Sequence, residues 1–330
     1  MENTTLNKAI KDKDWTLVKE LLGKPFQIDE HTLNYALCSG NITIICDVIE
    51  AGAIPNQDSL MYATFSAPIF LKTVANVLII TRGEEIKKSI VDQYGQINEQ
   101  SISPFVSSEE LKRIESLEQK IFWEALWKKS INPLFHVKHV REPLKNLISS
   151  LEIKPGEGIF VPFCGKSIDM LWLKEQGYNV LGIDISKEVI DIFCKEHALQ
   201  YKETQQETFI VRQVDTEKGS LKLLCGDIFN LKVHDVDKIG VIYDHAGFIA
   251  IPEGIRTKYA EFITSLFPKG TKMILGLIGF RNENPPPHNV GREEVNNYLK
   301  YTCFLRVKKN FSQSEICEMS RCILIYLTLI

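Results

Sequence analysis

The chain has 330 residues, 44% of them hydrophobic and 25% charged, with a net charge of −3 at pH 7 and a pI near 6.2. This is length for about two domains and a sizeable core, in proportions ordinary for a globular protein. The mild acidity supplies no field for nucleic acid or an anionic membrane surface, and neither is expected as a partner.

Met1-Glu2-Asn3-Thr4 lacks the basic start of a secretory signal, and no apolar run approaches the roughly 20 residues of a membrane helix, so a cytoplasmic location is expected. Eight cysteines (Cys38, Cys46, Cys164, Cys194, Cys225, Cys303, Cys317 and Cys322) are scattered with no C-x-x-C pair. They are expected to be reduced, buried thiols rather than a disulfide frame or a metal site.

Taken in order, residues 6–9, 33–36 and 60–63 read Leu-Asn-Lys-Ala, Leu-Asn-Tyr-Ala and Leu-Met-Tyr-Ala, 27 residues apart each time. Behind each start a second apolar helix follows: Trp15, Leu17-Val18 and Leu21-Leu22; Ile42, Ile44-Ile45 and Val48-Ile49; Ile69, Leu71 and Val74. Each unit is a helix pair that buries its apolar face only by stacking on a neighbour. The turns Ser39-Gly40-Asn41 and Glu50-Ala51-Gly52-Ala53 resemble those of ankyrin repeats, although the period is shorter than their 33 and no T-P-L-H is present. That resemblance implies a docking surface for a protein partner over residues 1–82. The alternative is a helical cap or dimerisation element.

Residues 83–116 are polar and charged and read as a linker. It holds the start of a charged helix, Ser108 to Lys120, behind the N-cap pattern Ser107-Ser108-Glu109-Glu110. Residues 117–330 then form the second domain. Its first feature is aromatic: Phe122-Trp123-Glu124-Ala125-Leu126-Trp127, then Phe135-His136. Trp123 and Trp127 share one helix face. They suit either a buried stripe or a cover over an adenine or a sulfonium.

The stretch from Ile159 to Ser186 reads strand, glycine turn, helix, strand, acid. Ile159-Phe160-Val161 is the first strand, Cys164-Gly165-Lys166 the turn, and Val180 to Ile183 the second strand, ending on Asp184. A glycine turn lets backbone approach a ligand, and an acid about 20 residues on can hold ribose hydroxyls. Only one glycine stands where a dinucleotide fold has G-x-G-x-x-G, which favours a nucleoside without a pyrophosphate. Further strands are expected at Leu221–Cys225 before Asp227, at Ile239–Tyr243 before Asp244-His245, and at Lys272–Ile278. Tyr301–Lys308 and Cys322–Ile330 are expected to close the sheet as an antiparallel pair. Strands alternating with helices imply a mostly parallel sheet with the ligand at the strands' carboxyl ends, where Asp184, Asp227 and Asp244 fall.

These residues resemble the thiopurine S-methyltransferase family of Rossmann-like, S-adenosylmethionine-dependent methyltransferases. The resemblance rests on Trp123-x-x-x-Trp127, Phe135-His136, Val161-Pro162-Phe163-Cys164-Gly165-Lys166-Ser167-Ile168-Asp169-Met170, Gly182-Ile183-Asp184-Ile185-Ser186, Cys225-Gly226-Asp227-Ile228-Phe229, Tyr243-Asp244-His245-Ala246 and the proline-rich loop at 285–287, over roughly residues 120–330. It implies an α/β methyltransferase domain using S-adenosyl-L-methionine. Trp123, Trp127 and Phe135 would cover the cofactor, and Phe163 and Gly165 would pass beneath its methionine part. Asp184 would hold the ribose, Asp227 and Ile228 would frame the adenine, and His245 would contact the cofactor. Two departures stand out: the family commonly has Glu where this chain has Asp184, and Arg where it has His245.

Methyl transfer to a small thiol, or to a selenium or tellurium nucleophile, is the expected activity. Asp244 and His245 are the candidate bases for an acceptor that must lose a proton. His136 and His288 are further candidates, and Lys166 is expected to be structural. Two alternatives stay open. One is amino-group, protein or nucleic-acid methylation, suggested by Asn284-Pro285-Pro286-Pro287. The other is a partner-binding protein with a vestigial methyltransferase fold.

Overall fold

The computed structural model describes residues 2–24, 27–29, 31–82, 107–130, 136–150, 153–216, 218–245, 247–278, 288–299, 303–306 and 322–329. It divides into two compact units, Met1–Ile131 and Asn132–Ile330.

The first unit is helical. Its described elements run α1 (Glu2–Lys11), α2 (Trp15–Leu22), α3 (Thr32–Ser39), α4 (Ile42–Glu50), α5 (Gln57–Ser66), a 3₁₀ turn at Pro68–Phe70, α6 (Leu71–Arg82) and α7 (Ser108–Lys129). The 27-residue period reappears as packing. Leu6, Leu33 and Leu60 are 0%, 1% and 3% exposed, and Ala9, Ala36 and Ala63 are buried with them.

Consecutive pairs are also stitched by polar groups at the same spacing. Asn7 Nδ2 donates to Asp29 Oδ2 at 3.0 Å, and Thr32 Oγ1 donates to Asn7 Oδ1 at 2.7 Å. One period later, Asn34 Nδ2 donates to Asn56 Oδ1 at 3.0 Å and Ser59 Oγ donates to Asn34 Oδ1 at 2.5 Å. A buried amide keeps its place only where its donor and acceptor are both met, and this ladder meets them by repetition. It stops at the third copy, where Met61 stands in the asparagine's place.

The helix expected to end at Lys120 continues to Lys129, behind a capping box in which Ser107 and Glu110 satisfy each other's backbone. Ile114, Leu117, Ile121 and Ala125 recur at helical spacing and join the core of the first unit. Part of its charge is also engaged within the first unit: Arg113 pairs with Asp47 and Glu50 on α4, and Glu118 accepts from Thr73 Oγ1 at 2.6 Å.

Among the described residues the second unit carries nine strands, β1 (Gly158–Pro162), β2 (Asn179–Asp184), β3 (Lys202–Gln206), β4 (Phe209–Thr216), β5 (Gly219–Cys225), β6 (Ile239–Asp244), β7 (Lys272–Ile278), β8 (Cys303–Arg306) and β9 (Cys322–Leu329). Its helices are α8 (Glu142–Ser150), α9 (Asp169–Glu175), α10 (Lys187–Glu196), α11 (Gly247–Ala250), α12 (Glu253–Leu266) and α13 (Arg292–Leu299). The sheet order is β3-β4-β5-β2-β1-β6-β7-β9-β8. Pairing is parallel from β5 through β2, β1 and β6 to β7. The chain winds outward from β1 in both directions, so a crevice opens at the carboxyl ends of β1 and β6.

Where a dinucleotide fold continues with a sixth parallel strand, β9 inserts antiparallel between β7 and β8. The expected closing pair is therefore present, with the last strand on the inside. Sequence did not foresee the β3–β4 hairpin, whose outer strand is polar and almost wholly exposed. It is fixed by Arg212, 1% exposed, which bonds Glu203 at 2.8 Å and also pairs with Asp191 on α10.

Candidate functional site

The turn after β1 is held in a shape few residues adopt unaided. Phe163 and Gly165 both have left-handed backbones, at φ +48° and +49°. For a phenylalanine that conformation costs on the order of 1–3 kcal/mol, and such strain collects at ligand-binding turns. The surroundings impose it: Cys164 N donates to Ile183 O at 2.9 Å, pinning the turn to β2, and the Phe163 ring stands edge-on to Tyr259 at 5.2 Å.

Asp184 ends β2 directly beside this turn. Gly165 N donates to its Oδ2 at 2.9 Å and Ser186 N to its Oδ1 at 2.9 Å, so the carboxylate is aimed before any ligand arrives. The Asp184 carbonyl in turn accepts from Gly226 N at 2.9 Å. That bond brings the end of β5 alongside. There Asp227 Oδ1 accepts from Phe229 N at 3.0 Å and sets up the short turn containing buried Ile228. The turn after β1 and the ends of β2 and β5 are thus bonded to one another. Ser167 Oγ, in the same turn, is buried and has no hydrogen-bond partner among the described residues. Gly182 lies beneath, where a Cβ would come within 2.8 Å of Met170 Sδ and 3.1 Å of Cys164 Sγ. A glycine turn lets backbone approach a nucleoside, and an acid at the next strand end can accept from its ribose hydroxyls.

On the other side of β1 the groups are more deeply buried. Asp244, 0% exposed, accepts from Gly247 N at 2.5 Å and from Tyr259 OH at 2.7 Å. Gly247 is obligatory, since a Cβ there would lie 2.6 Å from Asp244 Oδ2. Its neighbour Tyr243 donates to Asp169 Oδ2 at 2.9 Å, and Asp169 also takes Arg141 Nη1 at 2.5 Å and Arg141 N at 3.1 Å. Lys166, 2% exposed, reaches both oxygens of Glu196 at 2.6 and 2.8 Å, which ties the glycine turn to α10 as expected of a structural lysine.

Burial, followed by the charge of Arg141, holds His245 well below its ordinary value of 6.5. Burial and then the Lys166 ammonium bring His136 down to about 4. His288 N donates to Ile249 O on α11 at 2.6 Å. Burial, then the Asp184 charge, pushes the Cys164 thiol well above 9, so it is no nucleophile.

These shifts fix a pH dependence. A histidine whose folded value is lowered binds fewer protons folded than unfolded, so its contribution to stability is complete above the unfolded value and lost as pH falls. The window opens at 6.5 and runs down to about 4 for His136. The melting temperature is expected to fall already between pH 6.5 and about 5, before most carboxylates titrate. Thermal denaturation across that range checks it; a flat profile there would contradict the lowered values of His136 and His245.

Trp123 and Trp127 lie in α7 of the first unit, Trp127 buried at 4% exposure and Trp123 half-buried with its ring edge-on to Phe122. Phe135, Ala246 and the proline-rich loop fall outside the described residues. Arg141 and Tyr259 carry site interactions that went unassigned in the sequence, and Asp169, Ser167 and Tyr243 were quoted only within motifs. The available signal was an acid directly behind a glycine turn, at the start of a helix.

Fold and site together are those of a Rossmann-like, S-adenosylmethionine-dependent methyltransferase. The family model for thiopurine S-methyltransferase (TPMT) matches residues 118–320. The thiopurine S-methyltransferase of Pseudomonas fluorescens strain Pf-5 is 33% identical over 183 residues, 55% of this chain and 80% of that one. That of Legionella pneumophila strain Philadelphia 1 is 33% identical over 199 residues, 60% and 87% of the two chains. Among solved structures, a TehB-like SAM-dependent methyltransferase from Corynebacterium glutamicum aligns at 17% identity over 56% of this chain and 86% of that one, with a TM-score of 0.38. The chain belongs to the thiopurine S-methyltransferase family. It is an enzyme that transfers a methyl group from S-adenosyl-L-methionine to a small-molecule acceptor. No described helix is long and apolar enough to cross a membrane.

Proposed function

We propose that the acceptor is a thiol, or a related selenium or tellurium nucleophile, that reaches the site already ionised. The observation that carries this is His245, partly buried just past the end of β6, whose proton affinity is lowered by burial and then by the charge of Arg141. A base with so low a proton affinity gives little help to an aliphatic thiol of pKa about 8.5. An aromatic thiol is largely thiolate at neutral pH and needs only position.

In this reading Asp184 accepts the ribose hydroxyls, Asp227 and Ile228 frame the adenine, and Phe163, Gly165 and Ser167 form the floor under the methionine part. On the family motif, Trp123, Trp127 and Phe135 are assigned to the cofactor as well. The bound cofactor supplies an activated sulfonium methyl. The protein's share is to hold the nucleophile in line and keep water out. His245 contacts the reactants as a neutral imidazole. Asp244, with both oxygens engaged by Gly247 and Tyr259, acts by fixing the segment that carries His245. A cytoplasmic setting suits the reduced thiols of the described cysteines.

For the domain plan, we propose that residues 1–82 are a docking module, followed by a connector at 83–116 and the catalytic domain at 117–330. Support for docking comes from Met61 and Phe65, one turn apart on α5 and 44% and 81% exposed, an apolar pair offered to a protein partner.

The test is product formation with S-adenosyl-L-methionine and three acceptors: an aromatic thiol, an aliphatic thiol and a primary amine. Methylation of the aromatic thiol is expected at a rate nearly independent of pH from about 6.5 to 8, and of the aliphatic thiol at a rate rising with pH. Methylation of the amine in preference to both thiols would overturn the assignment.

A further inference from the structure

Arg141 sits just ahead of α8, with its side chain 15% exposed and its Nη1 2.5 Å from Asp169 Oδ2. Asp169 is itself 0% exposed and opens α9, immediately after the left-handed turn. Tyr243, near the end of β6, donates to the same carboxylate oxygen. One buried acid thus joins the start of α8, the start of α9 and the end of β6. In the sheet β1 lies between β2, which ends on Asp184, and β6. The ribose-holding acid and the guanidinium therefore flank the same turn from opposite sides.

Neither ribose binding nor adenine binding uses this cluster, and methyl transfer as such requires no buried cation. A buried ion pair is also a poor device for stability, since packed apolar side chains commonly replace one without loss. The charge has a purpose at the crevice instead. S-adenosylmethionine is a nucleoside with an amino acid attached. With its ribose at the end of β2, the amino acid points across the turn toward β6, carrying a carboxylate into a cleft that excludes water. Such a carboxylate needs a cation, and a planar guanidinium can serve two carboxylates at once. His245 and His136 are held neutral, and Lys166 is committed to Glu196.

We propose that Arg141, oriented by Asp169 and Tyr243, binds the carboxylate of the cofactor's methionine end. This rests on S-adenosylmethionine as donor and on Asp184 as its ribose acceptor.

The experiment is calorimetric titration of the full chain with two ligands, S-adenosylhomocysteine and 5′-methylthioadenosine, which keeps the nucleoside and thioether but has no amino acid. Arg141→Gln is expected to weaken S-adenosylhomocysteine by about 30-fold and 5′-methylthioadenosine by less than about 2-fold, with Arg141→Lys between wild type and Gln for the first ligand. Asp184→Ala is the contrast and is expected to weaken both ligands alike. Equal weakening of both ligands by Arg141→Gln, or by Arg141→Lys where the Gln variant fails to fold, would make Arg141 only a brace for Asp169 and overturn the proposal. Unchanged binding of both would overturn it too. Wild-type protein that binds neither ligand would remove the cofactor assignment and the proposal with it.

Discussion

Asp184→Ala is expected to bind S-adenosylhomocysteine about 10- to 100-fold more weakly than wild type, on the order of 1–3 kcal/mol for the loss of a charged acceptor inside a cleft. The loss has two parts. Ribose hydroxyls lose their partner, and Gly165 N and Ser186 N, which the carboxylate holds at 2.9 Å each, are released. The second part loosens the left-handed turn itself, so thermal stability is expected to fall by about 1–2 kcal/mol even without ligand. Asp184→Glu keeps the charge on a longer arm and is expected to recover a good part of the affinity, Glu being common at this position in the family. Calorimetry on the three proteins separates these effects. Wild-type affinity in Asp184→Ala would sink the ribose assignment outright.

Asp244→Ala is expected to be the most destabilising of these substitutions, at about 3–5 kcal/mol, because it strands two buried donors at once. Gly247 N and Tyr259 OH both point at this carboxylate, and the tyrosine is 0% exposed. For a unit of roughly 200 residues that corresponds to a fall of about 6–20 °C in melting temperature. Tyr259→Phe removes one donor and leaves the acceptor with the other, so its cost is expected near 1 kcal/mol. The ring of Tyr259 also abuts Phe163 at 5.2 Å, so the effect of Asp244→Ala is expected to reach the cofactor turn and weaken S-adenosylhomocysteine in the protein that remains folded. A melting temperature within about 1 °C of wild type would show that Asp244 is not the keystone its hydrogen bonds make it.

The five parallel strands were legible because each is a short apolar run closed by a turn or an acid, a pattern set by burial on both faces of the sheet. The helix pairs were legible because one Leu-x-x-Ala motif recurs every 27 residues and is buried each time. The β3 strand was not, since Lys202–Gln206 is polar and its place depends on Arg212 reaching Glu203 and Asp191 from β4. The extent of α7 was hidden for a related reason: charges on its outer face masked an apolar stripe that only a neighbouring helix surface gives a use.

By itself the sequence determined the order of the parallel strands, the N-terminal helix pairs, the family and the cofactor, because these follow from local periodicity and from a motif contiguous in the chain. The tertiary structure decided how the three strand-end acids are engaged. Asp184 is aimed by the turn beside it, Asp227 organises its own short turn, and Asp244 is bound between Gly247 and Tyr259. It also brought Arg141 to Asp169 across 28 residues and Tyr243 to the same oxygen across 74. An acid at a strand end looks the same in sequence whichever way it is engaged, since Gly165 reaches Asp184 only once β1 and β2 lie side by side, and Tyr259 reaches Asp244 only once α12 packs into the core.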